Sequence, residues 1–115
     1  MPTYKAPQEV KRLVQRAIDQ NLSLPISRRA AYKTENNKRV PGTGMQTARM
    51  IVNDRVDEKR LRVMSAWFAR HGDNPLEKEA RRASNSKAAI AWALWGGNAG
   101  RRWVAATLRD IERKK

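Results

Sequence analysis

Apolar residues recur at helical spacing along most of the chain. Val10, Leu13, Val14, Ala17 and Ile18 fall at i, i+3, i+4, i+7 and i+8, one face of an amphipathic helix. Pro7 suits its first turn and Glu9 suits the positive end of its dipole. A first helix is expected over about 7–20, ending near Asn21 before the Leu22-Ser23-Leu24-Pro25 breaker. Residues 27–42 then show neither helical nor alternating period. Asn36-Asn37 and Pro41-Gly42 are turn formers. The expectation for about 22–42 is a basic loop, with room for a short helix at 27–32.

The pattern resumes at Thr43, whose spacing to Gln46 is that of a capping box. It predicts a second helix over about 44–53. Asp57 is the next N-cap and Glu58 sits in the first turn of a third helix, about 58–71, stopped by Gly72. Leu61, Met64, Ser65 and Phe68 share its inner face; Lys59, Arg62, Ala66 and Arg70 lie opposite. The second and third helices read as a helix–turn–helix unit over about 43–71. Residues 72–84 are a polar linker with a helical turn near 76–82. Ser84-Asn85-Ser86 offers caps for a fourth helix, about 86–95, apolar on every side and therefore expected to be buried and central. Gly96-Gly97 ends it. Asn98 is the expected cap of a fifth helix over about 99–113, with Val104, Thr107, Leu108 and Ile111 inward. No alternating strand, hairpin signal or internal repeat is legible. The predicted fold is an all-α bundle of about five short helices in a single domain, 1–115.

Composition sharpens the picture. The 115 residues carry 25 Lys and Arg against 11 Asp and Glu, a formal charge of +14, yet 40% are hydrophobic. That is enough apolar content for a core and too much for a disordered basic tail. The longest nearly uncharged apolar stretch, Ala88 to Trp95, is far short of the roughly 20 residues that span a bilayer. No apolar run near the N-terminus reads as a signal peptide. The absence of Cys excludes a disulfide scaffold and a thiol nucleophile. With His71 the only histidine, a His-based metal site or a Ser-His-Asp triad lacks its partners.

The acidic residues are scattered and suit caps and helix-surface pairs. Asp54 with Asp57 and Glu58 is the one grouping that a divalent ion could use in principle, and caps, helix-surface charge and i,i+4 pairing account for it far better. No catalytic residue, metal or cofactor is assigned, and enzyme activity is not expected. The charge instead implies a polyanionic partner. The candidate phosphate-binding residues are Arg28, Arg29, Lys33, Lys38 and Arg39 in the basic loop, Lys59 and Arg62 on the third helix, and Arg101 and Arg102 at the corner before the fifth. Tyr32 within the loop could stack on a base. Trp92, Trp95 and Trp103 are read as core residues.

Two stretches carry a resemblance: Met64-Ser65-Ala66-Trp67-Phe68-Ala69-Arg70-His71, and Ala91-Trp92-Ala93-Leu94-Trp95-Gly96-Gly97-Asn98-Ala99-Gly100-Arg101-Arg102-Trp103. Together they resemble a small domain of tailed-bacteriophage and prophage proteins. Pro7-x-x-Val10, Ser27-Arg28-Arg29 and Gly44-x-x-x-Ala48-Arg49 fit as well, so the likeness spans most of the chain. That domain carries a glycine in the turn before the third helix, where this chain has Asp54-Arg55. The resemblance implies a viral origin rather than an activity. The expected function is non-enzymatic nucleic-acid binding of phage type, through phosphates and with weak sequence preference, DNA before RNA. The alternatives are a virion or head-associated structural protein and an inhibitor gripping an acidic surface of a host protein. A second copy of the chain and virion proteins are further candidate partners; a membrane is not. The expected location is the host cytoplasm or the virion.

Overall fold

In the computed structural model, which describes residues 2–115, Val10, Val14, Ala17 and Ile18 form the buried face of α1 (Gln8–Leu22). A 3-10 turn at Ile26–Arg28 leads to a hairpin of β1 (Tyr32–Glu35) and β2 (Lys38–Pro41). Then follow α2 (Thr43–Val52), α3 (Glu58–His71), the short α4 (Pro75–Ala80), α5 (Lys87–Leu94) and α6 (Gly97–Arg113). The architecture is an all-α bundle carrying one antiparallel hairpin. α1 packs on α2 and α5, and α3 packs chiefly on α6.

The hairpin corrects the reading of 22–42 as a loop without strands. Tyr32 pairs with Pro41, and Glu35 with Lys38. Between them Asn36 and Asn37 both take positive φ, +52° and +63°. Two left-handed residues match the twist of the flanking strands, and Asn tolerates that region better than most residues. The strands were invisible to pattern because they bury little. All of β1 beyond Tyr32 is exposed, so there is no alternation of apolar and polar residues to detect.

The turn between α2 and α3 is closed by Asp54, which adopts φ +57° where a glycine would be the usual choice. Its carboxylate is held at 3.0 Å by Lys11 of α1. Tyr4 adds a bridge to the same turn, donating its N–H to the Val56 carbonyl at 2.8 Å. Asp57 caps α3 by accepting from the Arg60 N–H at 2.8 Å, and Ser86 caps α5 by accepting from the Ala89 N–H at 3.1 Å, as expected.

Two expected caps are displaced. Gly42, not Thr43, precedes α2, and α6 begins after Gly96 rather than at Asn98. Gly96 sits at φ +111°, and a Cβ there would lie 2.9 Å from the Gly100 Cα. This sharp corner starts the last helix two residues early. α5 is central, but it is not sealed on all sides. Ile90, Leu94 and the following Trp95 are buried, while Ala88, Ala89, Ala91, Trp92 and Ala93 are half-covered. Its alanine faces border two open clefts.

Candidate nucleic-acid interface

The basic hairpin is fastened to the bundle by groups that charge counting does not reveal. Asn21, fully buried at the end of α1, clasps the backbone of Ala30. Its Oδ1 accepts from the Ala30 N–H at 2.8 Å and its Nδ2 donates to the Ala30 carbonyl at 3.0 Å. Arg29 donates to the carbonyls of Leu24 and Leu22, each at 3.0 Å, and to the Tyr32 hydroxyl at 3.1 Å. Its guanidinium also lies 5.4 Å from the Tyr32 ring centre. Gly44 permits the close approach of hairpin and helix, since a Cβ there would stand 2.6 Å from the Ala31 Cβ.

The sequence-predicted cations therefore divide into separate groups. Arg29 is occupied as a clamp of the hairpin, and so is Tyr32. Arg28 and Lys38 are exposed, with no side-chain partner among the described residues. Lys33 faces Glu35 at 3.2 Å in open solvent, and Arg39 reaches the Thr34 hydroxyl at 3.4 Å. Lys59 on α3 and Arg102 on α6 are exposed and have no side-chain partner among the described residues. Arg62 is pinned between Glu58 and Glu112, both at 2.9 Å, and so links α3 to α6. That contact holds the Glu112 carboxyl below the usual carboxylate range, chiefly through the Arg62 hydrogen bond, and raises the Arg62 guanidinium further. Arg101 is paired with Asp73 at 3.2 Å.

Of these, Lys59 shares a helix face with Arg70, which lines a cleft beside the hairpin root, but the two stand roughly 16 Å apart along α3. Lys59, Val63, Ala66 and Arg70 form one ridge of α3, opposite the buried Leu61, Met64 and Phe68. Beside that ridge, a cleft of about 380 Å³ is lined by Ala31 at the hairpin root, Gly44 of α2, Trp67, Arg70 and His71 of α3, and Trp95. Trp67 and Trp95 stack at 4.7 Å with planes 10° apart, and His71 lies against Trp67 at 4.8 Å with its plane tilted by 37°. His71 Nδ1 meets Glu77 Oε1 at 2.7 Å, which ties α4 to the end of α3. Arg70 belongs to this neighbourhood by position, and the residue list drawn from sequence omits it. Its spacing of eleven from Lys59 was legible, but the cleft beside it was not. Arg101 faces a different cleft, because α5 stands between them: Ala91 and Trp95 line the first, Ala89, Trp92 and Ala93 the second.

The carboxylates of the one acidic grouping have other occupations. Asp54 pairs with Lys11, Asp57 caps α3, and Glu58 binds Arg62. Among the described residues no three His, Asp or Glu side chains converge, and no helix is long and apolar enough to cross a membrane. Comparison with protein-family models, curated proteins and solved structures finds no match to the chain.

Proposed function

We propose that this chain is a non-enzymatic nucleic-acid-binding protein that grips the phosphate backbone of duplex DNA with weak sequence preference. The observation that carries the reading is the distribution of uncompensated charge. Among the described residues, every carboxylate except Glu9 is engaged by a cap, a hydrogen bond or an ion pair. Lys38, Arg49, Lys59 and Arg70, on the hairpin, α2 and the outer ridge of α3, keep no such partner, and neither do Lys5, Arg12, Arg16, Arg28, Arg55, Lys78, Arg102, Arg109 and Lys114, so unpaired positive charge extends over much of the described surface. Cations left in this state are neutralised by a polyanion, with release of its condensed counterions. A projecting two-stranded ribbon beside a helix ridge suits the curved backbone of a duplex. A role in a phage or prophage, in the host cell or the virion, belongs to the same proposal.

A second reading has an observation of its own. A mainly apolar groove of about 550 Å³ between α3 and α6 is lined by Ser65, Ala105 and Leu108, with Arg109 and Arg113 at its edge. That surface suits a protein partner with an acidic, apolar face, such as a virion protein or a host enzyme.

The two are separated by electrophoretic shift with short duplexes. The DNA reading expects binding at about 50 mM salt, with log K falling by about 0.9 per phosphate over roughly four to eight phosphates. Changing Lys38, Lys59 and Arg70 together to Gln weakens it by at least about tenfold, with a slope lower by about 2–3. Absence of binding at low salt overturns the reading. Duplex binding that survives the triple change excludes this face.

A further inference from the structure

The cleft on the other flank of α5 is larger, about 630 Å³, within the range of small-molecule sites. Gly72 and Asp73 line it after α3, Lys78 and Arg81 at α4, Trp92 on α5 and Arg101 on α6. Three cations thus border it against one carboxylate. Arg101 holds Asp73 in a two-point contact, Nη1 to Oδ1 at 3.3 Å and Nη2 to Oδ2 at 3.2 Å. Arg81 is fixed behind them: it donates to the carbonyls of His71 at 3.2 Å and Gly72 at 3.0 Å, and its guanidinium carbon lies 4.1 Å from the Trp92 ring centre. Lys78 is exposed and has no side-chain partner among the described residues.

The charges converge on one point. The Asp73 carboxyl is held below the usual carboxylate range, first by the Arg101 hydrogen bond and then by its charge, with Lys78 and Arg81 adding to the pull. A Cβ at Gly72 would lie 2.4 Å from Arg101 Nη1, which can move aside, and 2.6 Å from the Phe68 carbonyl oxygen, which cannot. The Gly72 φ of −65° is one that any residue adopts, so the glycine is required for space rather than for conformation. Asp73 itself is the loose member, 72% exposed at the mouth of the cleft, whereas the Arg101 side chain is 38% exposed. Such a carboxylate is readily displaced by a more highly charged anion.

We propose that this cleft binds a phosphate monoester, whose dianion displaces the Asp73 carboxylate and sits against Arg101 and Lys78, with Arg81 behind. Displacement leaves three positive charges facing two negative ones, a better match than the single carboxylate. The remaining volume, walled by Trp92, Ala89 and Ala93, accepts the body of the ligand. A free mononucleotide and the 5′-phosphate end of a strand share this chemistry. The site lies apart from the hairpin and the α3 ridge, and it does not depend on the duplex-binding reading.

The test uses the full chain, isotopically labelled, at constant ionic strength. The probes are adenosine monophosphate, adenosine, and hexathymidylate with either a 5′-phosphate or a 5′-hydroxyl. Amide shifts are expected at Gly72, Asp73, Lys78 and Arg101 with the monophosphate and not with adenosine. Asp73→Asn removes the internal competitor and tightens binding severalfold. Lys78→Gln and Arg101→Gln weaken it, the latter by about tenfold for the loss of a charge-assisted pair. Lys78 is exposed and unpaired, so its variant keeps the fold if Arg101→Gln does not. Response to the 5′-phosphorylated strand but not its hydroxyl form identifies a strand end, and response to the mononucleotide alone identifies a small ligand. The proposal is overturned if neither phosphate shifts these amides, or if Asp73→Asn binds no more tightly than the parent chain.

Discussion

Asn21→Ala should be one of the most damaging single changes in this protein, although it removes no apolar contact of any size. Asn21 is fully buried and satisfies both backbone groups of Ala30, which is itself buried. Alanine leaves that buried N–H and that buried carbonyl without their side-chain partner. Each unsatisfied buried group costs about 1–3 kcal/mol, so the pair costs about 2–6 kcal/mol. Against a total stability of about 5–15 kcal/mol that is a large fraction. The melting temperature should fall by roughly 10 °C or more. Denaturant unfolding followed by tryptophan fluorescence gives the free energy, and hydrogen exchange at the Ala30 amide locates the loss.

Asn21→Asp sharpens the test through its sign. The carboxylate keeps the acceptor for the Ala30 N–H but turns a donor into an acceptor facing the Ala30 carbonyl. Burial and that carbonyl both favour the protonated acid in the folded state, raising its pKa above the unfolded value. Stability of this variant is therefore greatest below the unfolded carboxylate range and is lost as pH rises through the folded value. Relative to Asn21→Ala, it should be the weaker protein at pH 7 and should recover toward pH 4. An Asn21→Ala cost below about 1 kcal/mol, the range of a typical exposed position, would refute the clasp.

Three further outcomes follow from named contacts. Arg28→Ser and Lys33→Ser should leave the melting temperature nearly unchanged, because exposed charges contribute little, whereas Arg29→Ser should cost about 1–3 kcal/mol by freeing two carbonyls and a hydroxyl; thermal unfolding of the single variants separates them. Asn37→Gly should stabilise the hairpin by a few tenths to about 1 kcal/mol and Asn37→Val should destabilise it, since φ is +63° there; melting curves and cross-strand contacts between Tyr32 and Pro41 check this. Arg62→Gln should move the Glu112 carboxyl titration upward, because Arg62 is the first cause of its depression. A depressed carboxyl supports folding above the unfolded pKa and loses that support as pH falls through the folded one, so the parent chain loses the α3–α6 pin in acid, and carboxyl NMR follows it.

Much of this protein follows from sequence because its helices obey local rules. The stripe of α1, the Asp57 and Ser86 caps and the break at Gly96 depend on neighbours three or four residues away, which spacing reports directly. The charge that motivates a polyanion partner is likewise a property of composition. What tertiary structure decided are long-range matters. The hairpin is held by Asn21 and Arg29 rather than by an alternating core face, so its strands leave no apolar period. Arg29, Arg62 and Arg101 look equivalent to Arg28 in sequence, yet each is committed to a partner that only folding brings near: the Leu22 and Leu24 carbonyls, Glu112 and Asp73. Arg101 and Asp73 are twenty-eight residues apart, and Arg62 and Glu112 fifty. Local spacing determines which segments become helices; which cations stay free for a ligand depends on the packing of segments that the sequence keeps far apart.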